Sequence, residues 1–263
     1  MLFLKIKNKL FIFLNYFSIM RNKKLFVNII SILMVLLLPL ILYGFNSNSV
    51  AFDRDLYKKE FLKYHVYDNL KDYDIELINN DVLDYLLNEK SSNPIENDFF
   101  NEREKTHLLD VKNLIQKVLA IYYYSMILFL LLFVVLILLL NFNFMAIFKK
   151  TLLILFIGSI LTLLDAAAFF LLSNLNFDFT FDLFHKTFFN PGTFTFNPEF
   201  ENIVVLYPEI LFFDFLIKII FKTILSSTII LFFSIAFLFI FFKSNFLKFF
   251  QKFSTRKAKK RKV

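Results

Sequence analysis

The chain has 263 residues, 58% of them hydrophobic, with 41 Phe and a mean hydropathy of +0.61, which is more apolar surface than a water-soluble core of this length buries. It contains no Cys, which excludes disulfides, thiolate metal sites and cysteine nucleophiles. The formal net charge of +8 is sorted by segment rather than gathered on one face, so it reads as membrane topology and not as a nucleic-acid footprint.

Residues 1–24 form a basic leader with six Lys or Arg and no acid. Its stretch MLFLKIKNKLFIFLNYFSIM suits either an interfacial helix or a disordered basic leader. Leu25 to Phe45 is the first window of about 20 apolar residues, enough to cross a hydrocarbon layer about 30 Å thick. Pro39 interrupts it and predicts a kink near its outer end. No small-residue cleavage site follows in GFNSNSVAF, so the span is expected to be retained as an anchor.

The first outer segment, 46–117, predicts two or three short helices. In YDIELINNDVLDYLLNEK the apolar positions Ile75, Leu77, Ile78, Val82, Leu83, Leu86 and Leu87 recur at helical spacing, with Asn80 or Asp81 as a possible cap. After the SSNP break, a helix is predicted from about Asp98 straight into the second span, Val118 to Leu140. It places Arg103, His107 and Asp110 at i, i+4 and i+7, on one face. Glu102 and Glu104 are expected to be solvated.

A short turn with Lys149 and Lys150 leads to the third span, Leu152 to Ser173, which carries the single acid within a span, Asp165. Burying a carboxylate in hydrocarbon is costly enough to mark Asp165 as a candidate site residue, with snorkelling as the plain alternative. The second outer segment, 174–218, combines His185 with Phe, an NPG turn at 190–192, Pro198 and Pro208. Such sequence predicts a folded cap whose apolar side faces acyl chains. Ile219 to Phe242 is the fourth span, with Lys218 and Lys222 expected to snorkel outward, and 243–263 is a basic tail holding nine Lys or Arg.

Segment 46–116 holds 15 acids against 9 bases, and 174–215 holds six acids against Lys186 alone. Every other Asp or Glu but Asp165 is thereby accounted for, so no acid falls in the leader, the 141–151 turn or the tail. By the positive-inside rule both termini are expected in the cytoplasm and both acidic segments outside. The expectation is an all-α, multi-pass protein of the cell membrane, its membrane domain spanning 25–242, with any active site at the extracytoplasmic face.

Three stretches, FDRDLYKKEFLKYHVYDNL, NEREKTHLLDVKNLI and FHKTFFNPGTFTFNPEFENIVVLYPEILFFD, resemble the lipoprotein intramolecular transacylase family of integral membrane proteins. The resemblance covers roughly 25–242 and leaves the basic ends outside. The family usually has Trp where Phe194 stands and Met where Leu108 stands; the first departure keeps the shape but loses an indole donor. The resemblance implies transfer of a fatty acyl ester from the diacylglyceryl group of an N-terminal Cys to that residue's own α-amine, leaving a lyso-lipoprotein. Membrane lipids and a diacylglyceryl-modified lipoprotein are the implied partners, with no nucleic acid and no cofactor or metal.

Such a transfer needs a base for the amine, stabilisation of the oxyanion and a proton for the leaving oxygen. His107 and His185 are the expected catalytic pair, one as base and one as acid, with the assignment open. Arg103 either stabilises the oxyanion or substrate, or pairs with Glu102, Glu104 or Asp110. Asp110 either orients His107 or is a plain surface carboxylate. His65 is expected to be structural or on the surface. Two rival readings are a metal-dependent membrane hydrolase, with His107, His185 and a carboxylate such as Asp110 as ligands, and a non-enzymatic lipid-binding or assembly protein.

Overall fold

The structure is a computed structural model that describes the backbone of residues 2–88, 93–190 and 192–260 and the side chains of 22–88, 93–190 and 192–240. Residues 1–21 of the basic leader and the basic tail fall outside the described side chains. Nine helices follow in chain order among the described residues: α1 (Leu2–Ala51), α2 (Arg54–Lys63), α3 (Val66–Asn69), α4 (Ile75–Leu87), α5 (Glu102–Leu139), α6 (Phe144–Leu175), α7 (Phe177–Phe188), α8 (Ile203–Leu206) and α9 (Glu209–Lys260). Four of them, over Asn22–Ala51, Glu102–Leu139, Phe144–Leu175 and Glu209–Ile240, are long and apolar enough to cross a membrane. In hydrocarbon the helix is the open-ended structure that satisfies every backbone group internally, which is why these windows are helical throughout. α1 continues through Pro39.

The chain divides into two compact units: residues 1–39, 127–161 and 227–263, and residues 40–126 and 162–226. In the first, Val27, Ile30, Met34, Leu136 and Ile154 form a buried apolar cluster. Its α5–α6 turn is tight: Asn141 and Phe142 both take left-handed backbone (φ 53° and 54°), and the Asn143 side chain caps α6 by accepting from Ala146 N at 3.0 Å. Lys23 Nζ donates to Asn141 Oδ1 at 2.9 Å and Lys150 Nζ to Asn28 Oδ1 at 3.2 Å.

The second unit holds the larger core, in which α2, α3 and α4 pack with the starts of α5, α8 and α9 around Leu56, Phe61, Val66, Leu83, Leu206 and Leu211. Each short helix has a local reason to begin. Asp53 caps α2 by accepting from Leu56 N, and Asp74 caps α4 by accepting from Leu77 N, so α4 starts nearly two turns earlier than Asn80 or Asp81 would place it. His65 opens α3 in left-handed backbone (φ 56°) with its ring exposed and Nδ1 3.1 Å from Asp68. α5 starts on a reciprocal cap: Asn101 Oδ1 accepts from Glu104 N (3.0 Å) while Glu104 Oε2 accepts from Asn101 N (2.6 Å). Lower in this unit Asn46, 3% exposed, donates to Thr223 Oγ1 at 3.2 Å, and Lys222 Nζ donates to Ser49 Oγ at 3.1 Å. Lys222 is thus engaged with α1 rather than extended along the helix surface.

Candidate active site

The reciprocal cap fixes the first turns of α5, and one turn further on that helix carries His107. α7 starts on Asn176, whose side chain accepts from Phe179 N, and carries His185 in its last turn. The two rings, from helices far apart in sequence, lie with centroids 6.3 Å apart and planes within 21° of parallel. Aromatic rings surround them. Phe189 and Phe196 sit 5.0 and 5.2 Å from the His107 ring, and Phe181, Phe184, Phe189 and Phe194 lie 4.2 to 5.4 Å from the His185 ring.

His107 is 7% exposed and its Nδ1 is buried with no hydrogen-bond partner. It precedes the apolar window that begins at Val118. Burial, then the neighbouring His185, then the Arg103 guanidinium all disfavour its charged form and hold it down to about 4. His185 is half-buried, and burial lowers it too, opposed by the Phe181 carbonyl and by Asp182. Its Nδ1 lies 2.8 Å from the Phe181 carbonyl oxygen. A carbonyl only accepts, so in the neutral ring Nδ1 carries the proton and Nε2 keeps its lone pair.

Arg103 does not pair with Glu102, Glu104 or Asp110. Its Nη1 donates to Glu201 Oε1 at 2.6 Å, and its Nη2 donates to the carbonyls of Gly192 (3.2 Å) and Thr195. The guanidinium also lies 4.9 Å above the Phe196 ring. Glu104 is not solvated but 1% exposed, because it completes the α5 cap and accepts from Ile203 N at 2.7 Å with its other oxygen. Asp110 is half-buried and makes no bond to His107, whose free Nδ1 has no partner. Asp165 is half-buried in α6, and the ring neighbours of the two imidazoles are aromatic. Among the described residues no group of three His, Asp or Glu is placed to hold a metal ion.

Glu201, Phe189 and Phe196 belong to this site and carry no sequence signal of it. They lie in a Pro-punctuated segment without periodicity. Glu104 was detectable in principle, since Asn followed three residues later by Glu is a helix-start pattern.

Four apolar helices and two facing imidazoles among aromatic rings make up an integral membrane protein with a candidate acid–base site. Comparison with known proteins supplies the class. The family model for the lipoprotein intramolecular transacylase Lit matches residues 29–213, and the chain belongs to that family. The fold is similar to the structure of the membrane-integral lipoprotein intramolecular transacylase Lit from Bacillus cereus, with 22% identity over 83% of this chain and 97% of that one and a TM-score of 0.69. It is also similar to two variants of that protein, at 20% identity each. One match covers 88% of this chain and 98% of that one with a TM-score of 0.68, the other 84% and 95% with 0.66. No curated protein sequence matches. The activity is O-to-N acyl transfer on membrane lipoproteins.

Proposed function

We propose that His185 and His107 perform this transfer at the extracytoplasmic face, His185 as the proton carrier and His107 as the donor to the ester oxygen. The substrate is a diacylglyceryl-modified N-terminal Cys. Its α-amine nitrogen attacks the ester carbonyl carbon, an N–C bond forms, and the nitrogen becomes cationic and acidic. His185 Nε2 takes that proton. The carbonyl–glycerol C–O bond then breaks and the imidazolium returns the proton to the glycerol oxygen. His107, held neutral by burial, offers an N–H to the carbonyl oxygen as negative charge grows on it, as neutral imidazoles do elsewhere. The product is an N-acyl, lyso-glyceryl lipoprotein, with atoms and protons balanced and no water consumed.

Nucleophile and electrophile reside on one molecule, so alignment supplies much of the acceleration and no acyl-enzyme is required. The observation that carries the proposal is the approach of the two rings to 6.3 Å at 21°, a spacing that lets each reach one ester within hydrogen-bond distance, about 3 Å. The Phe181 contact supports the assignment of His185 as base, because it leaves Nε2 free to accept. Arg103, engaged with three acceptors, acts through orientation in this scheme. Asp110 and Asp165 take no proton-transfer step.

Replacing His107 or His185 singly with Ala is expected to lower the rate of N-acyl lyso-lipoprotein formation by about 10²- to 10⁴-fold at unchanged protein level. Mass spectrometry of the lipoprotein N-terminus measures it. Wild-type rates in either variant would remove that histidine from the mechanism.

A further inference from the structure

The geometry points to Glu201 as a positioning residue for the transfer: by fixing Arg103 it holds Phe196 between the guanidinium and the His107 imidazole, so an ion pair outside the reacting groups sets the geometry of the donor to the carbonyl oxygen. The inference rests on the reading of His107 as a catalytic residue.

The Phe196 ring has Arg103 Cζ 4.9 Å from its centroid and the His107 ring 5.2 Å from it. The guanidinium, the phenyl ring and the imidazole therefore form one contiguous series. A planar guanidinium is suited to this, since it rests on an aromatic face while its edge donors stay free. Those donors reach the Gly192 and Thr195 carbonyls, which bracket Phe194, the ring 5.4 Å from His185. One cation thus fixes the backbone that presents an aromatic wall to each histidine.

Glu201 makes the cation stay. It is 6% exposed, and a buried carboxylate is tolerated only with partners. It has two: Arg103 Nη1 at 2.6 Å, and Asn197 N, which donates to its Oε2 at 2.6 Å. The same carboxylate therefore closes the segment on itself and anchors it to α5. Glu104 and Asn202 add two more ties, from Ile203 N to Glu104 Oε1 (2.7 Å) and from Asn202 Nδ2 to the Phe99 carbonyl (2.8 Å). The segment is held without Glu201, so Glu201 can be altered with the fold retained. Gly192 fits this scheme as well. Its φ of +88° lies in the left-handed region, which turns its carbonyl toward Arg103 at a conformation other residues rarely adopt.

The test uses the full chain, purified and supplied with a synthetic diacylated lipopeptide, with turnover, KM and melting temperature measured together. Glu201→Gln is expected to lower kcat about ten- to a hundredfold, because small misplacements of a catalytic group cost rates of that order, while KM changes less than twofold. Glu201→Asp is expected to recover part of the loss. ¹⁵N-His spectra of Glu201→Gln should show a displaced His107 resonance and an unmoved His65. Phe196→Leu, which keeps apolar volume but loses the flat face, is the second variant and should show the same kcat-only loss; it decides the matter if Glu201→Gln does not fold. A wild-type kcat in folded Glu201→Gln and Phe196→Leu, with His107→Ala inactive, would overturn the inference. An active His107→Ala overturns the catalytic reading beneath it instead, so the two failures are distinguishable.

Discussion

The two imidazoles are unlike ordinary histidines in one respect that matters to the reaction: burial favours their neutral forms. His107 is held down to about 4, and His185 is shifted the same way. An unperturbed His is near 6.5, and the attacking α-amine near 7.7–8.0. The sign follows directly. His107, held neutral by burial, takes up no proton as pH falls from 7 to 5, so it adds no break near 6.5 to the slope that the amine sets. If His107 titrated normally, log rate would steepen below 6.5. A pH series of lyso-lipoprotein formation on a defined lipopeptide distinguishes the two. The same depression has a stability consequence of definite sign: the unfolded chain binds protons below 6.5 that folded His107 refuses, so stability falls as pH falls through that range.

Among the elements, α5 does two jobs in one continuous helix, presenting His107 near its start and crossing the membrane beyond Val118. Its seating against α1 depends on Gly44. A Cβ at Gly44 would meet Tyr122 Cβ at 2.7 Å and the ring at 2.6 Å, and rotating the Tyr122 side chain does not remove a clash with its own Cβ. Gly44→Ala is therefore expected to destabilise by about 1–3 kcal/mol, lowering the melting temperature in detergent by several degrees. An unchanged melting temperature would show that the helices are not in this contact. The four long helices were legible in the sequence because a run of about 20 apolar residues has few other fates, and α4 because Ile75, Ile78, Val82 and Leu86 keep helical spacing. The pairing of His107 with His185 came from the family resemblance and not from periodicity, since nothing local links α5 to α7. What was illegible is tertiary. Glu104 reads as a surface acid until its second oxygen finds Ile203 N, and Glu201 sits between Pro198 and Pro208, where no period assigns a face. Of the two readings of Asp110, the plain carboxylate is the one the contacts favour: sharing a helix face does not by itself bring a carboxylate to an imidazole, and the buried Nδ1 of His107 has no hydrogen-bond partner.

At the scale of the whole molecule, the governing quantity is the distribution of charge along the chain. Six Lys or Arg before the first span, Lys149 and Lys150 between the second and third, and nine after the fourth, with no Asp or Glu in any of the three stretches, are the pattern from which we propose a four-span chain with both ends in the cytoplasm. On that proposal every acid but Asp165, and all three histidines, lie in the two outer segments, the side at which a membrane-anchored lipoprotein presents its modified N-terminus after export. A chain without Cys permits a direct test, since single cysteines can be introduced with no background to remove. Asp72→Cys and Glu199→Cys sit at exposed positions of the two outer segments, and Met145→Cys at an exposed position of the α5–α6 turn region. A membrane-impermeant maleimide on intact cells is expected to label the first two at once and Met145→Cys only after lysis. The reverse pattern would put His107 and His185 on the cytoplasmic side. A base and a donor there would face no exported lipoprotein, so the proposed extracytoplasmic site would fall even if both rings remained essential in detergent.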